Sequence, residues 1–150
     1  MRIQIAACSL VLTTLVSVIT LPGTVRADQM PVNLAPEANV SASSEFSEDY
    51  RAEMATSGVI PSDFQQDQDW AVRGTQKGWF EFTWENPVEV AQIIYYARVT
   101  SPLLECFKDY EVYLNGSEQP VATGSLQCRR GAQRIEFPKQ RARSIRLEFL

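Results

Sequence analysis

The sequence predicts an all-β sandwich or barrel. Short runs rich in Val, Ile, Tyr, Phe and Trp alternate apolar with polar residues, turn residues separate them, and no stretch holds a sustained helical period. Strands spaced in this way close into two packed layers or a barrel. The chain has 150 residues, enough for one domain. Hydrophobic residues make up 45% and charged residues 21%, which is too apolar for a disordered chain.

The elements follow in order. Asn39–Ser43 is a short strand. Trp79–Trp84 alternates cleanly and sets Phe80, Phe82 and Trp84 on one face. Asn86-Pro87 reads as a turn, and Val88–Val99 as a longer, bent strand. Asp109–Leu114 is a strand with Tyr110, Val112 and Leu114 inward. Asn115–Gln119 is its turn and Pro120–Leu126 the return strand. Arg134–Phe137 alternates until Pro138 stops it. Ser144–Phe149 alternates again, with Ile145, Leu147 and Phe149 inward. Glu45–Gln68 is a long irregular region in which Asp49–Ser57 has room for a helical turn or two. Loops of that length often carry function.

The first 27 residues have the layout of a secretory leader and are expected to stay out of the fold. Arg2 is the basic start, Ile3 to Leu21 holds no charge, and Val25-Arg26-Ala27 places small residues before a cleavage point. A membrane anchor is the alternative, but Ser, Thr, Gln and Cys interrupt the run and Pro22-Gly23 ends it. Ile5-Ala6-Ala7-Cys8 lies too near the start to be an acylation box. Cleavage removes Arg2 and Arg26, and the net charge moves from -4 to -6. Residues 28–38, with Pro31 and Pro36, read as an extended lead-in, and residues 39–150 as the domain. The protein is then expected outside the cytoplasm, secreted or in the cell envelope.

Cys106 and Cys128 remain after cleavage. In a hairpin centred on Ser117, partner numbers sum to 234, and so do these two. Export permits a disulfide, and the register places the cysteines opposite each other. Two unpaired thiols remain the alternative.

The composition excludes much chemistry. There is no histidine, so Ser-His-Asp and Cys-His catalysis and His-ligated zinc are ruled out. The pI of about 4.9 speaks against nucleic acid as a partner. No phosphate-cradling glycine motif is present. Asp63, Asp67 and Asp69 lack the glycine and glutamate of an EF-hand. They read as a solvated acidic loop rather than a catalytic pair, although a calcium site of another kind stays open. No cofactor is expected. Aromatics beside arginines suit carbohydrate better: a ring stacks on the apolar face of a sugar, and a guanidinium forks onto hydroxyls. The candidates are Tyr50, Arg51, Trp70, Arg73 and Arg98. Trp79 and Trp84 read as structural. Phe46 and Phe64 would be the spikes of a membrane-surface module, but their loops are acidic, which speaks against membrane binding. Asn39-Val40-Ser41 and Asn115-Gly116-Ser117 match the N-glycosylation pattern and matter only in a eukaryotic secretory route.

Several of these motifs, in this order, resemble discoidin domains, also called coagulation factor five/eight C-type domains. Asn33-Leu34-Ala35 with Val40–Ser44 resembles their opening. Trp79–Trp84, Val88–Arg98, Lys108–Leu114 and Arg143–Phe149 are similar to successive strands. The segment Glu105–Tyr110 resembles an uncharacterised bacterial secreted subgroup. The resemblance covers Asn33 to Leu150. It implies a galactose-binding-like jelly-roll sandwich that is not an enzyme. Its loops at one end would bind carbohydrate or another extracellular protein, on behalf of downstream domains where these exist. Three departures matter. Ser57 stands where the family has a calcium-holding Asp, the family's sugar-binding histidine is missing, and the chain stops before the family's last strand. The resemblance therefore implies an unpaired edge at Ile145–Phe149, with the chain a fragment or a partner supplying a strand.

Overall fold

The computed structural model describes residues 2–7, 32–58, 69–74, 77–99 and 104–150. Nine strands lie among them: β1 Arg2–Ala7, β2 Val32–Asn33, β3 Asn39–Ala42, β4 Gly78–Tyr96, β5 Arg98–Val99, β6 Leu104–Glu105, β7 Asp109–Leu114, β8 Ala122–Ser125 and β9 Ala132–Phe149. The main sheet runs β2-β1-β4-β9-β7-β8, with β3 also on β4, and β5–β6 form a small separate ribbon.

Two long strands organise the molecule. β4 and β9 pair antiparallel from Gly78↔Phe149 to Tyr96↔Ala132. This ribbon folds over on itself, because the Tyr95 and Phe149 rings, near its two ends, meet at 6.1 Å. Two layers result. One holds β3, β7, β8 and the halves of β4 and β9 around Phe80–Phe82 and Ile145–Phe149. The other holds β1, β2 and the remaining halves. The register shifts show where the ribbon gives way, between Thr83 and Val88 and between Val90 and Gln92.

Both shifts correct the sequence reading. Asn86-Pro87 is an irregularity inside β4, not a turn between strands. Pro138 does not stop its strand, because it sits where β9 bulges opposite Val90–Gln92 and no ladder N–H is needed. The lead-in also differs: Val32–Asn33 pairs with β1, and Ala35–Glu37 makes one 3₁₀ turn instead of staying extended. Glu48–Tyr50 and Ala52–Thr56 are short 3₁₀ helices, so the helical turns expected after Asp49 exist.

The alternation is met residue by residue. Phe80, Phe82, Trp84, Val112, Leu114, Ile135, Phe137, Ile145, Leu147 and Phe149 are all buried in one core. Each fully buried aliphatic or aromatic side chain contributes roughly 1.5–3 kcal/mol. The expected unpaired edge at Ile145–Phe149 is not found. β9 lies between β4 and β7, with Phe149 paired to both Gly78 and Tyr110.

The hairpin arithmetic is met as well. Asp109↔Ser125, Tyr110↔Gly124 and Val112↔Ala122 have the expected register. Cys106 and Cys128 form the disulfide, with Cα atoms 5.4 Å apart. The turn is set by Asn115 at φ 53° and Gly116 at φ 70°, a left-handed pair that Asn-Gly adopts readily.

The N-terminus departs from expectation. Arg2–Ala7 is not outside the fold: it pairs antiparallel with Gln92–Tyr96 and buries Ile3 and Ile5. The physical reason is the period-two pattern Ile3-Gln4-Ile5, which suits a strand as well as a leader. Residues 8–31 lie outside the described residues.

Candidate functional site

The two ends of the β4/β9 ribbon converge at one end of the sandwich, and the loops there carry the sequence-predicted residues. Ser43–Phe46 is tied to Trp70–Arg73: the Phe46 N–H donates to the Ala71 carbonyl, and the Arg73 N–H to the Ser44 hydroxyl. Tyr50 ends its 3₁₀ helix on this ledge, and its carbonyl accepts from Ala71 N–H. Arg98 reaches in from β5.

Arg98 and Tyr50 form the centre. The guanidinium lies 5.0 Å from the Tyr50 ring centroid and donates from Nη2 to the Tyr50 hydroxyl at 3.2 Å. Its Nε stands 3.8 Å from Oδ2 of Asp69, and both side chains are largely buried, at 13% and 9% exposure. Phe46 packs edge-on against Tyr50 at 5.8 Å and is 56% exposed. Arg73 donates from Nη2 to the Phe46 carbonyl at 3.1 Å and is itself exposed. Arg51, between the two 3₁₀ helices, is exposed too.

Trp70 corrects the sequence reading. It is 1% exposed, so its ring offers no face to a ligand. It packs on Phe80, Phe107 and Phe149, with centroids at 5.3, 5.8 and 6.3 Å, and its indole N–H donates to the Ser44 carbonyl at 2.9 Å. Trp70 is the pillar under the ledge, because an aromatic this large is worth more in a four-ring cluster than in water. Of the five candidates, Tyr50 and Arg98 touch, Arg51 and Arg73 share their surface, and Trp70 lies beneath.

Two residues of this end were not assigned to binding from sequence. From sequence Phe46 reads only as a membrane spike, because its exposure beside Tyr50 is not legible in a patternless loop. Asp69 reads, with Asp63 and Asp67, as solvated. It is buried against Arg98, which an acid next to a buried tryptophan could have signalled. Asp63, Asp67 and Phe64 lie outside the described residues. Among the described residues no group of three Cys, Asp or Glu gathers to hold a metal ion.

The remaining tryptophans are structural in different ways. Trp84 is buried and donates to the Leu34 carbonyl at 3.1 Å. Trp79 faces outward under the Arg146 guanidinium, 4.7 Å from the ring.

The architecture is that of the discoidin-type, galactose-binding-like sandwich, as comparison with solved structures shows. A family 32 carbohydrate-binding module from C. perfringens NanJ, solved with galactose, superposes with TM-score 0.63 at 20% identity, covering 77% of this chain and 84% of that one. The lectin domain of lectinolysin, solved with Lewis B antigen, gives 0.63 at 19%, covering 77% and 84%. A chitosan-binding module of a Paenibacillus sp. IK-5 chitosanase/glucanase, solved with chitotriose, gives 0.55 at 14%, covering 78% and 86%. Residues 33–150 match the model of the domain of unknown function DUF7402, and the chain belongs to that family. No curated protein matches the sequence.

Proposed function

We propose that this chain is an exported, non-catalytic carbohydrate-binding module whose ligand surface is the loop end around Phe46, Tyr50, Arg51 and Arg73. The observation that carries this reading is the exposed Phe46 ring beside the Arg98–Tyr50–Asp69 stack. A flat apolar face stands next to the Arg73 guanidinium, and the Tyr50 ring on which Phe46 packs is held by the buried Arg98–Asp69 pair. Sugar rings need that combination, because stacking covers their C–H face while forked donors meet hydroxyls. Arg98 is mostly buried and acts as a positioning residue that holds the Tyr50 ring. The local acids disfavour anionic surfaces: Glu48, Asp49 and Glu53 share the ledge with the arginines. A neutral glycan fits this balance. The fold likeness to carbohydrate-binding modules and a lectin domain supports the same class of partner. The leader-like N-terminus and the Cys106–Cys128 disulfide support export.

The test is titration calorimetry against a panel of neutral glycans, followed by variants. Phe46→Ala and Arg73→Ala should each weaken the best ligand about tenfold, the size of one lost hot-spot contact. Arg143→Ala, at the opposite end, should leave it unchanged. Absence of binding across the panel by folded protein would overturn the reading and leave a spacer or protein-interaction domain.

A further inference from the structure

We propose that the glycan surface continues from the ledge over Ser43–Ser44 onto the outer face of the sheet. There the Trp79–Arg146 stack forms a second sugar subsite, so the ligand is a neutral oligosaccharide chain and not a single sugar. The proposal rests on the carbohydrate reading above and specifies its ligand.

Direct bonds join the two places. The Ser43 N–H donates to the Trp79 carbonyl at 2.9 Å, and the Trp79 N–H donates to the Ser43 hydroxyl at 3.1 Å. On the ledge side, the Arg73 N–H donates to the Ser44 hydroxyl at 3.1 Å, and the Phe46 N–H to the Ala71 carbonyl at 2.8 Å. Gly78 lets β4 come this close, because a Cβ there would stand 2.6 Å from Ser43 Oγ and 3.2 Å from Val72 Cγ2. The run Ser43–Phe46 spans at most about 11 Å of extended chain. Hydrogen-bonded neighbours in a sheet lie about 5 Å apart. The exposed Phe46 ring and Trp79 therefore flank one low ridge, a span that a chain of sugars crosses and one sugar does not.

The sheet face repeats the chemistry of the ledge. Alternation turns Trp79 outward, because Phe80 and Phe82 fill the core. Pairing sets Glu148 beside Trp79, and Glu81 and Tyr113 beside Arg146, on that same face. The Arg146 guanidinium lies 4.7 Å from the Trp79 ring centroid and donates from Nη2 to Glu148 Oε1 at 2.7 Å. The stack that makes Trp79 structural thus also fixes a guanidinium and a carboxylate in place. Both stay open to solvent, at 40% and 30% side-chain exposure. Sugar hydroxyls meet a forked donor and an acceptor there, with aromatic surface alongside. Charge selects the class of chain. Glu81, Glu111 and Glu148 outnumber Arg146 on this face, so sulfated and uronic-acid chains are repelled and a neutral chain is accepted.

The experiment titrates the whole protein by calorimetry with glucose, galactose and N-acetylglucosamine, each as the monosaccharide and as a ladder of its oligomers. For the preferred sugar, affinity should rise about tenfold from monosaccharide to oligomer, the size of one added hot-spot contact. Trp79→Ala should remove that gain, and Phe46→Ala should weaken every member of the ladder. A second readout uses the unmutated protein and so does not depend on how the variants fold. Of the three tryptophans, Trp70 and Trp84 are 1% and 5% exposed, which leaves Trp79 as the one that dissolved acrylamide reaches. Bound oligomer should shield the fluorescence from acrylamide, whereas the monosaccharide, seated at the ledge, should not. Equal affinity along the ladder, or oligomer binding that leaves quenching unchanged, overturns the extension while the loop-end reading stands. Shielding by oligomers whose affinity Phe46→Ala does not touch overturns the continuous surface and the ledge together. Absence of binding by every sugar, with the protein folded, overturns the carbohydrate reading itself.

Discussion

The two ends of the sandwich use the same residue type in opposite ways. At the loop end, Arg98 is sunk between the Tyr50 ring and the Asp69 carboxylate, and Arg73 lies open beside the exposed Phe46. At the fold of the ribbon, Arg141 and Arg143 line a shallow groove of about 610 Å³ with Pro87, Asn115 and Ser144, and none of these is aromatic. There the polar groups hold backbone together. Arg141 donates to the Pro87 carbonyl at 3.2 Å, and Asn115 accepts from the Arg143 N–H at 2.8 Å. Arg73 is an exposed guanidinium beside an aromatic ring, the arrangement that the proposed glycan surface requires, whereas Arg141 beside the Pro87 carbonyl clamps a bend.

The sharpest way to break the comparison is to remove the pillar of the loop end. Trp70→Ala should lower stability by about 3–5 kcal/mol, because the four-ring cluster loses its centre and the ledge its hydrogen bond to Ser44. Chemical denaturation with near-ultraviolet dichroism would measure it, and a loss under about 1 kcal/mol would mean that Trp70 supports nothing. The Cys106–Cys128 bridge belongs to the same end and closes a loop of sequence separation 22. Replacing both cysteines with serine should cost about 3 kcal/mol, mostly by freeing the unfolded chain, and reduction of the native protein should shift the midpoint equally.

At the fold of the ribbon the expected effect is smaller. Asn115→Ala removes side-chain bonds to Arg141 and Arg143 and places alanine at φ 53°, at a cost of about 1–2 kcal/mol. Asn115→Gly should recover the backbone part, and glycan affinity should not move in either variant. Equal loss of binding from Asn115 and Phe46 variants would erase the distinction between the ends.

The smallest effect lies on the outer sheet face between them. The Tyr113 hydroxyl donates to the Glu111 carboxylate, which pushes the phenol up to about 12 from an ordinary value of about 10. The folded value exceeds the unfolded one, so this interaction is fully present below pH 10 and is lost as pH rises through about 12. Glu111→Gln should bring the Tyr113 transition down toward 10 in an ultraviolet titration. An unchanged midpoint would disprove the bond. Tyr95 offers an internal contrast, because burial drives its phenol above the ordinary range against a smaller, lowering effect of the Phe107 backbone.

Much of the fold was legible because alternation is a local property. Phe80, Phe82, Trp84, Ile145, Leu147 and Phe149 declare their inward face within six residues of sequence, and the Asn115-Gly116 turn and the cysteine spacing set the hairpin register. Proline misled at Pro87 and Pro138, because a long strand absorbs a residue without a ladder donor by bulging. At the candidate site, the neighbourhood of Tyr50 and Arg98 was legible as residue type but not as contact, since 48 positions separate them. Trp70, expected at the ligand surface, went inside, whereas Phe46, expected only as a membrane spike, stayed out beside Tyr50. No period runs through an irregular loop, so burial there is decided by what packs against it.

The sequence by itself determined the all-β class, the inward residues of most strands, the register that allows the disulfide and the exclusion of histidine chemistry. These depend on spacing and composition, which are complete in one dimension. Only the tertiary structure decided that β4 and β9 fold over into two layers, that Asp69 sits under Arg98, and that Arg2–Ala7 occupies a seat in the sheet. Each of these joins segments far apart in the chain, and it is the closing of one shared core that brings them together.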